Sequence, residues 1–205
     1  LNKADWLISI NFNTSQNINS FTQLPENFNP ERSTSIGNGQ YPQRVEENAP
    51  IGSFFGFRYL GVFPTDQDAV AKDADGNVRF DSEGRPIPLP YLDIYTFKGG
   101  DPIYEDINHD GKIDLNDVVP IGNSNPNFLG GFGGRVKYKS FILTASFYYR
   151  LGFDIINGIA IQTQGMNDRN NQSKAVLRRW RIQGEDEAGM LPRAYMNHPA
   201  NNLGS

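Results

Sequence analysis

Two alternating segments separated by two residues constrain this chain more than anything else in it. In 141–151, Phe141, Leu143, Ala145, Phe147, Tyr149 and Leu151 occupy every second position, with Ile142, Thr144, Ser146, Tyr148 and Arg150 between them. A period of two is the signature of a β-strand whose two faces meet different surroundings. The preceding segment, 127–138, sets Phe132, Val136 and Tyr138 in phase with Gly130 and Gly134, opposite Arg135 and Lys137. Glycines inside a strand mark a bend or a close backbone approach. Lys139-Ser140 leaves room only for a tight turn, so the two segments form an antiparallel hairpin. A tilted strand needs about 9–11 residues to cross a membrane. Tyr138 and Phe141 beside the turn, and Phe147, Tyr148 and Tyr149 toward the far end, match the aromatic girdles of such strands. An amphipathic hairpin packed on a soluble core shows the same alternation.

A third strand is expected near 6–14, where Trp6, Ile8, Ile10 and Phe12 alternate with Leu7, Ser9, Asn11 and Asn13. Residues 16–50 are rich in Asn, Ser and Pro and read as loop. Residues 52–63, GSFFGFRYLGVF, read as one strand with aromatics on both faces, hence covered on both sides. In 73–87, turns are expected at Asp75-Gly76 and Glu83-Gly84, with Asp73, Asp75 and Asp81 as turn acids. Residues 91–97 read as a short strand. Residues 172–182, QSKAVLRRWRI, are the one expected helix, and the rest of 152–205 is loop.

Composition limits the function. A net charge of −4 and a pI near 5.2 argue against nucleic-acid binding. The absence of cysteine removes disulfides, thiolate metal sites and cysteine nucleophiles. The two histidines, His109 and His198, lie far apart and accompany no nucleophile motif, so no enzyme is expected. Mean hydropathy is −0.54, but barrel strands expose apolar residues only at alternate positions, so that value does not bear on a transmembrane barrel. The chain reads as a piece of a longer protein.

The acidic stretch 106–117, DINHDGKIDLND, has the spacing of a calcium loop. Oxygen donors fall at Asp106, Asn108 and Asp110, a glycine at Gly111, a backbone carbonyl at Lys112, and acids at Asp114 and Asp117. Ca2+ takes six to eight hard oxygens, and alternate residues of a tight loop can point inward together. Ile113 is placed to pin the loop to a neighbour. Asp117 stands where an EF-hand has Glu, and no long helices flank the loop, so the expected metal is structural. A purely hydrogen-bonded acidic turn is the alternative.

Several phrases together carry a family likeness: PIGSFFGFRYLGVF, then GDPIYEDINHDGKIDLNDVVPIGNSNPNFLGGF, then KYKSF and ASFYYRLGFDIIN. This order resembles the late barrel region of the SusC-like (SusC/RagA) TonB-dependent outer-membrane transporters of Bacteroidota. Gly100, Asp101, Tyr104, Asp106, Asn108, Asp110, Gly111, Ile113, Asp114, Asp117, Ile121, Gly122, Asn123, Pro126 and Phe128 match the family phrase, and His109 replaces its usual glycine.

The resemblance implies an all-β fold: antiparallel strands and long extracellular loops forming part of a 22-stranded transmembrane β-barrel in the bacterial outer membrane, against outer-membrane lipid. The whole of 1–205 then belongs to that barrel, with strands near 6–14, 128–138 and 141–151, an extracellular loop region 15–126 holding the calcium-type loop 106–117, and a loop 152–205. The plug and the final strands are expected to lie outside this stretch. The resemblance also implies import of oligosaccharides or peptides, a SusD-like surface lipoprotein partner, and energy from TonB–ExbB–ExbD. If Lys139-Ser140 is a periplasmic turn, strand parity places 54–63 in an extracellular loop or upper-rim hairpin. Arg58, Tyr59, Asn157 and Trp180 are the candidate substrate contacts. Two other readings compete: a soluble calcium-stabilised glycan-binding β module, and a secreted glycan hydrolase, which would need paired carboxylates facing a cleft.

Overall fold

A computed structural model describes residues 5–26, 46–166, 169–187, 189–196 and 199–200. His198 and the 27–45 part of the expected loop lie outside the described residues. The fold is all-β in character. Its strands in chain order are β1 (Trp6–Gln16), β2 (Ser53–Gly56), β3 (Tyr59–Val62), β4 (Pro90–Tyr91), β5 (Tyr95–Thr96), β6 (Pro102–Tyr104), β7 (Val119–Asn123), β8 (Phe128–Tyr138) and β9 (Phe141–Leu151). One short helix, α1 (Gly158–Gln164), follows. The chain divides into two units: a sheet unit from the described residues up to 53 and from 122 to 155, and a loop unit from 54–121 and from 156 onward.

The sheet unit is an open antiparallel sheet of order β1-β8-β9. Its strands are 11 residues each and pair in register along their whole length. Alternation sorts the residues into two faces. On one, the cross-strand rows are Trp6-Tyr138-Phe141, Ile8-Val136-Leu143, Ile10-Gly134-Ala145 and Phe12-Phe132-Phe147. On the other, they include Ser9-Arg135-Thr144 and Asn11-Gly133-Ser146. The apolar face is uncovered in this chain: Ile10 is 81% exposed, Phe141 79% and Leu143 69%. Its rings contact one another, with Trp6 stacked on Tyr138 at 4.2 Å and Phe132 on Phe147 at 4.9 Å between centroids.

One end of this sheet is closed by Lys139-Ser140. Lys139 takes a positive φ of 53°, and its N–H donates to Asp5 O at 3.2 Å. At the other end, Gln16 pairs with Phe128 and Phe128 with Leu151. Both long connections, 17–127 and the chain beyond 151, therefore leave from this one end. Asn123 anchors the return into β8. Its Nδ2 donates to Ile51 O at 3.3 Å and Ser53 Oγ at 3.2 Å, and its Oδ1 accepts from Asn125 N–H at 2.7 Å.

The loop unit has an aromatic core of its own. Phe57, Phe63, Tyr91, Phe97 and Tyr104 are buried. Neighbouring rings lie 5.3 to 6.3 Å apart, in tilted and edge-on pairs. Such geometry sets positive ring edges on negative faces, which adds to the burial of the rings.

Three sequence expectations need correction. Residues 52–63 are not one strand: β2 and β3 are separate four-residue strands on either side of Phe57-Arg58, and Leu60 is 60% exposed rather than covered. Residues 91–97 form the tight hairpin β4-β5, turning through Leu92 and Asp93 at positive φ, 49° and 54°. In 172–182 only a 3-10 turn forms, Lys174–Arg178. The α-helix lies earlier, where Asn157 Oδ1 caps Ala160 N–H at 3.0 Å. The arginine-rich stretch lacks a sustained apolar stripe. Its backbone is drawn instead into contacts with 191, where Trp180 N–H donates to Leu191 O at 2.9 Å and Leu191 N–H to Arg178 O at 3.1 Å.

Candidate functional site

The acidic loop is folded by its own carboxylates. Asp106 Oδ2 accepts from Gly111 N–H at 2.8 Å and its Oδ1 from Asp110 N–H at 3.2 Å. Asn108 Oδ1 accepts from Asp110 N–H at 3.0 Å, and Asp110 Oδ1 from Lys112 N–H at 3.1 Å. Asp114 caps the 3-10 turn Leu115–Asp117, accepting from Asn116 N–H at 2.7 Å, and pairs with Lys112 Nζ at 3.2 Å. Arg79 donates to the Asp110 carbonyl from outside the loop.

Asp117 is fully buried, and its two oxygens accept from Ile107 N–H at 2.9 Å and Asp114 N–H at 2.8 Å. Burial pushes its carboxyl above the usual range. The nearby Asp106 charge adds to this, and the amide donors oppose it. Ile113 is fully buried and bridges Tyr91, giving its N–H to Pro90 O and taking Leu92 N–H, both at 2.9 Å. The loop is thus stitched to the aromatic core through β4.

The donor set is all oxygen, which suits a hard cation by kind and spacing. Among the described residues, however, no three acidic or histidine side chains are grouped as ligands for one ion. The oxygens of Asp106, Asn108 and Asp110 face the loop's amides instead, each keeping lone-pair capacity beyond the hydrogen bond it accepts.

The four candidate contact residues do not meet at one place. Arg58 pairs with Glu105. Tyr59 donates its hydroxyl to Met190 O at 3.3 Å, and burial pushes that hydroxyl up to about 12. Asn157 is the cap of α1. Trp180 lies buried, with its Nε1–H on Pro64 O at 3.1 Å. Its indole covers Gly100, where φ is +85° and an added Cβ would stand 2.4 Å from the ring.

Beside Gly100 is a cluster that sequence reasoning missed. Asp101, fully buried, accepts from Arg193 Nε at 2.7 Å, Tyr95 OH at 2.8 Å and Lys98 N–H at 2.9 Å. Arg193 Nη2 also donates to Tyr95 OH at 2.8 Å, and its backbone N–H to Gly100 O at 2.7 Å. Burial, and then the Asp101 charge, push the Tyr95 hydroxyl above its ordinary value. The signal was present in half: Gly100-Asp101 belongs to the family phrase, but nothing local pointed 92 residues ahead to Arg193.

No family model matches the chain. Two curated relatives do. A TonB-dependent receptor P39 of Formosa agariphila is 32% identical over 166 residues, covering 73% of this chain and 15% of that protein. A TonB-dependent receptor P3 of the same organism is 27% identical over 161 residues, covering 77% of this chain and 14% of its own length. The chain therefore spans about one seventh of the length of the relatives it matches. With a fold made of long in-register antiparallel strands and 27–32% identity to these receptors across about three quarters of its length, this chain is a partial region of a TonB-dependent receptor.

Proposed function

We propose that this chain is the late barrel region of a SusC-like outer-membrane importer that takes up oligosaccharides or peptides with a SusD-like lipoprotein and TonB–ExbB–ExbD. The main support is the apolar face of β1-β8-β9, 11 residues long and uncovered. At about 3.4 Å per residue such strands reach ~37 Å, enough to cross a hydrocarbon core of about 30 Å when tilted. On this reading the apolar rows face lipid, the Ser9-Arg135-Thr144 face turns to the barrel interior, and the end carrying the long connections is extracellular. Short turns belong to the periplasmic side of such barrels. A soluble glycan-binding module would have to cover the apolar face.

The acidic loop is, in this proposal, a brace of the extracellular region that takes structural Ca2+. Asp106, Asn108, Asp110, Asp114 and Asp117 supply side-chain oxygens and Lys112 its carbonyl. Its support is the spacing, together with a buried Asp117 whose raised pKa a cation would relieve. The full-length receptor is expected to melt higher with Ca2+ than with chelator, and Asp106→Ala with Asp110→Ala should abolish that difference. Equal melting in both conditions leaves the loop braced by hydrogen bonds alone.

Uptake tests the importer reading. Cells carrying the full-length receptor are expected to accumulate a labelled oligosaccharide or peptide in a TonB-dependent way. Recovery of the receptor in a soluble fraction, or accumulation that persists without TonB, sinks the proposal. No catalytic step is part of it.

A further inference from the structure

Within the loop unit, β3 has a single partner. It pairs with β6 through Tyr59-Tyr104, Gly61-Ile103 and Val62-Pro102, with an irregularity between Tyr59 and Gly61. Among the described residues no second strand lies along its other edge, and Leu60 makes no backbone hydrogen bond outside that ladder. All four residues of β3 line a cavity of about 390 Å3. An added Cβ at Gly61 would meet nothing within 4 Å, so the face of the strand is open there.

The rest of the lining fixes the chemistry. Ile103 and Met190 add apolar surface, Glu185, Asp186 and Glu187 add three carboxylates, and among the described residues no Lys, Arg or His contributes. Glu185 holds its own turn, accepting from Arg181 N–H at 2.6 Å. Asp186 and Glu187 form no ion pair with any described residue. An unpaired strand edge is a template for an added strand, because it offers N–H and C=O groups in a row. Apolar walls beside carboxylates suit a side chain with an aliphatic stem and a cationic head.

We propose that the free edge of β3 binds an extended peptide by strand addition, with a lysine or arginine of that peptide held by Asp186 and Glu187. The importer reading supplies only the biological setting. Peptide binding is measured on purified receptor and uptake in cells, so either can fail alone.

The test uses the full-length receptor in detergent and a fluorescent capped peptide alternating valine and lysine. Two controls are its glutamate counterpart and a backbone N-methylated copy with the same charge, and spermidine serves as competitor. Saturable binding of the lysine peptide alone is expected, with slowed hydrogen exchange at the Leu60 amide. Asp186→Asn with Glu187→Gln should weaken binding roughly fivefold, the weight of two exposed ion pairs, with an unchanged melting temperature. The proposal is overturned by absence of binding, by equal binding of the N-methylated or glutamate peptide, by spermidine competing as well as the peptide itself, or by an unaffected double variant.

Discussion

Asp73 and Asp81 close two turns of the loop unit in the same way. Asp73 Oδ1 accepts from Asp75 N–H at 3.0 Å and Asn77 N–H at 2.8 Å, and Asp81 Oδ1 from Glu83 N–H at 2.8 Å and Arg85 N–H at 2.9 Å. The amides of Asn77 and Arg85 respectively do most to hold these carboxyls below the ordinary aspartate range. A depressed folded-state pKa contributes stability that is present above the unfolded value and lost as pH falls through the folded one. The Asn77 and Arg85 amide resonances should therefore shift only below about pH 4, and Asp73→Asn and Asp81→Asn should each remove one transition. A transition above the ordinary range would give the opposite sign and refute the assignment. The buried Asp101 behaves differently, because its partner is a cation from 92 residues away. Arg193→Met strands a buried carboxylate and should cost about 3 kcal/mol. The readout is a lowered melting temperature with new proteolytic cleavage between 181 and 191, where Trp180 and Leu191 are bonded. Arg193→Lys keeps the charge but not the two-pronged donation to Asp101 and Tyr95, and should fall between.

Among the elements, β8 shows why its glycines are there. An added Cβ at Gly130 would come within 2.4 Å of both Asn13 O on β1 and the Tyr149 hydroxyl on β9. The Tyr149 ring lies across this gap, paired in register with Gly130 and stacked with Phe12 at 6.4 Å. Gly130→Ala must push the ring or the β1 backbone, so it should destabilise the sheet by about 1–3 kcal/mol. Adding Tyr149→Ala should recover part of that loss by clearing the space, which denaturant titration of the refolded receptor can measure. Alternation made β1, β8 and β9 legible, because two faces with different surroundings leave their imprint at every second residue. Short elements leave no such imprint. In β2 and β3 each strand is four residues long and pairs with a single short strand distant in sequence, β2 with β7 and β3 with β6. Aromatic content there recorded burial in a core rather than the two faces of a strand. The helix was misplaced for a related reason: Asn157 capping α1 is a single local contact, whereas the arginines of 178–181 look helical only until Leu191 claims the backbone.

At the scale of the molecule, sequence pattern carried the fold class and the family resemblance, and local spacing carried the acidic loop. It did not carry the Asp101–Arg193 cluster or the free edge of β3, because both depend on segments brought together from more than 80 residues apart. The same asymmetry bears on the sheet. Its two faces differ in residue character and, on the barrel reading, in the surroundings they meet, so a charge placed on one face or the other should have different consequences. Ile10, 81% exposed, sits mid-strand in the row Ile10-Gly134-Ala145, and Ser146 sits in the neighbouring row on the opposite face with Asn11 and Gly133. If the apolar rows face lipid, Ile10→Arg puts a charge near the bilayer midplane and should cost about 2–4 kcal/mol, lowering the amount of folded receptor in the outer membrane. Ser146→Arg adds the same side chain to a face that already carries Arg135 and Lys137 and should insert normally. In water neither site is covered, and the two substitutions would behave alike. Comparing heat-modifiable folded receptor in outer-membrane fractions for the two variants separates these cases. Equal insertion would remove the lipid from the apolar face, and with it the main support for the barrel reading of this sheet.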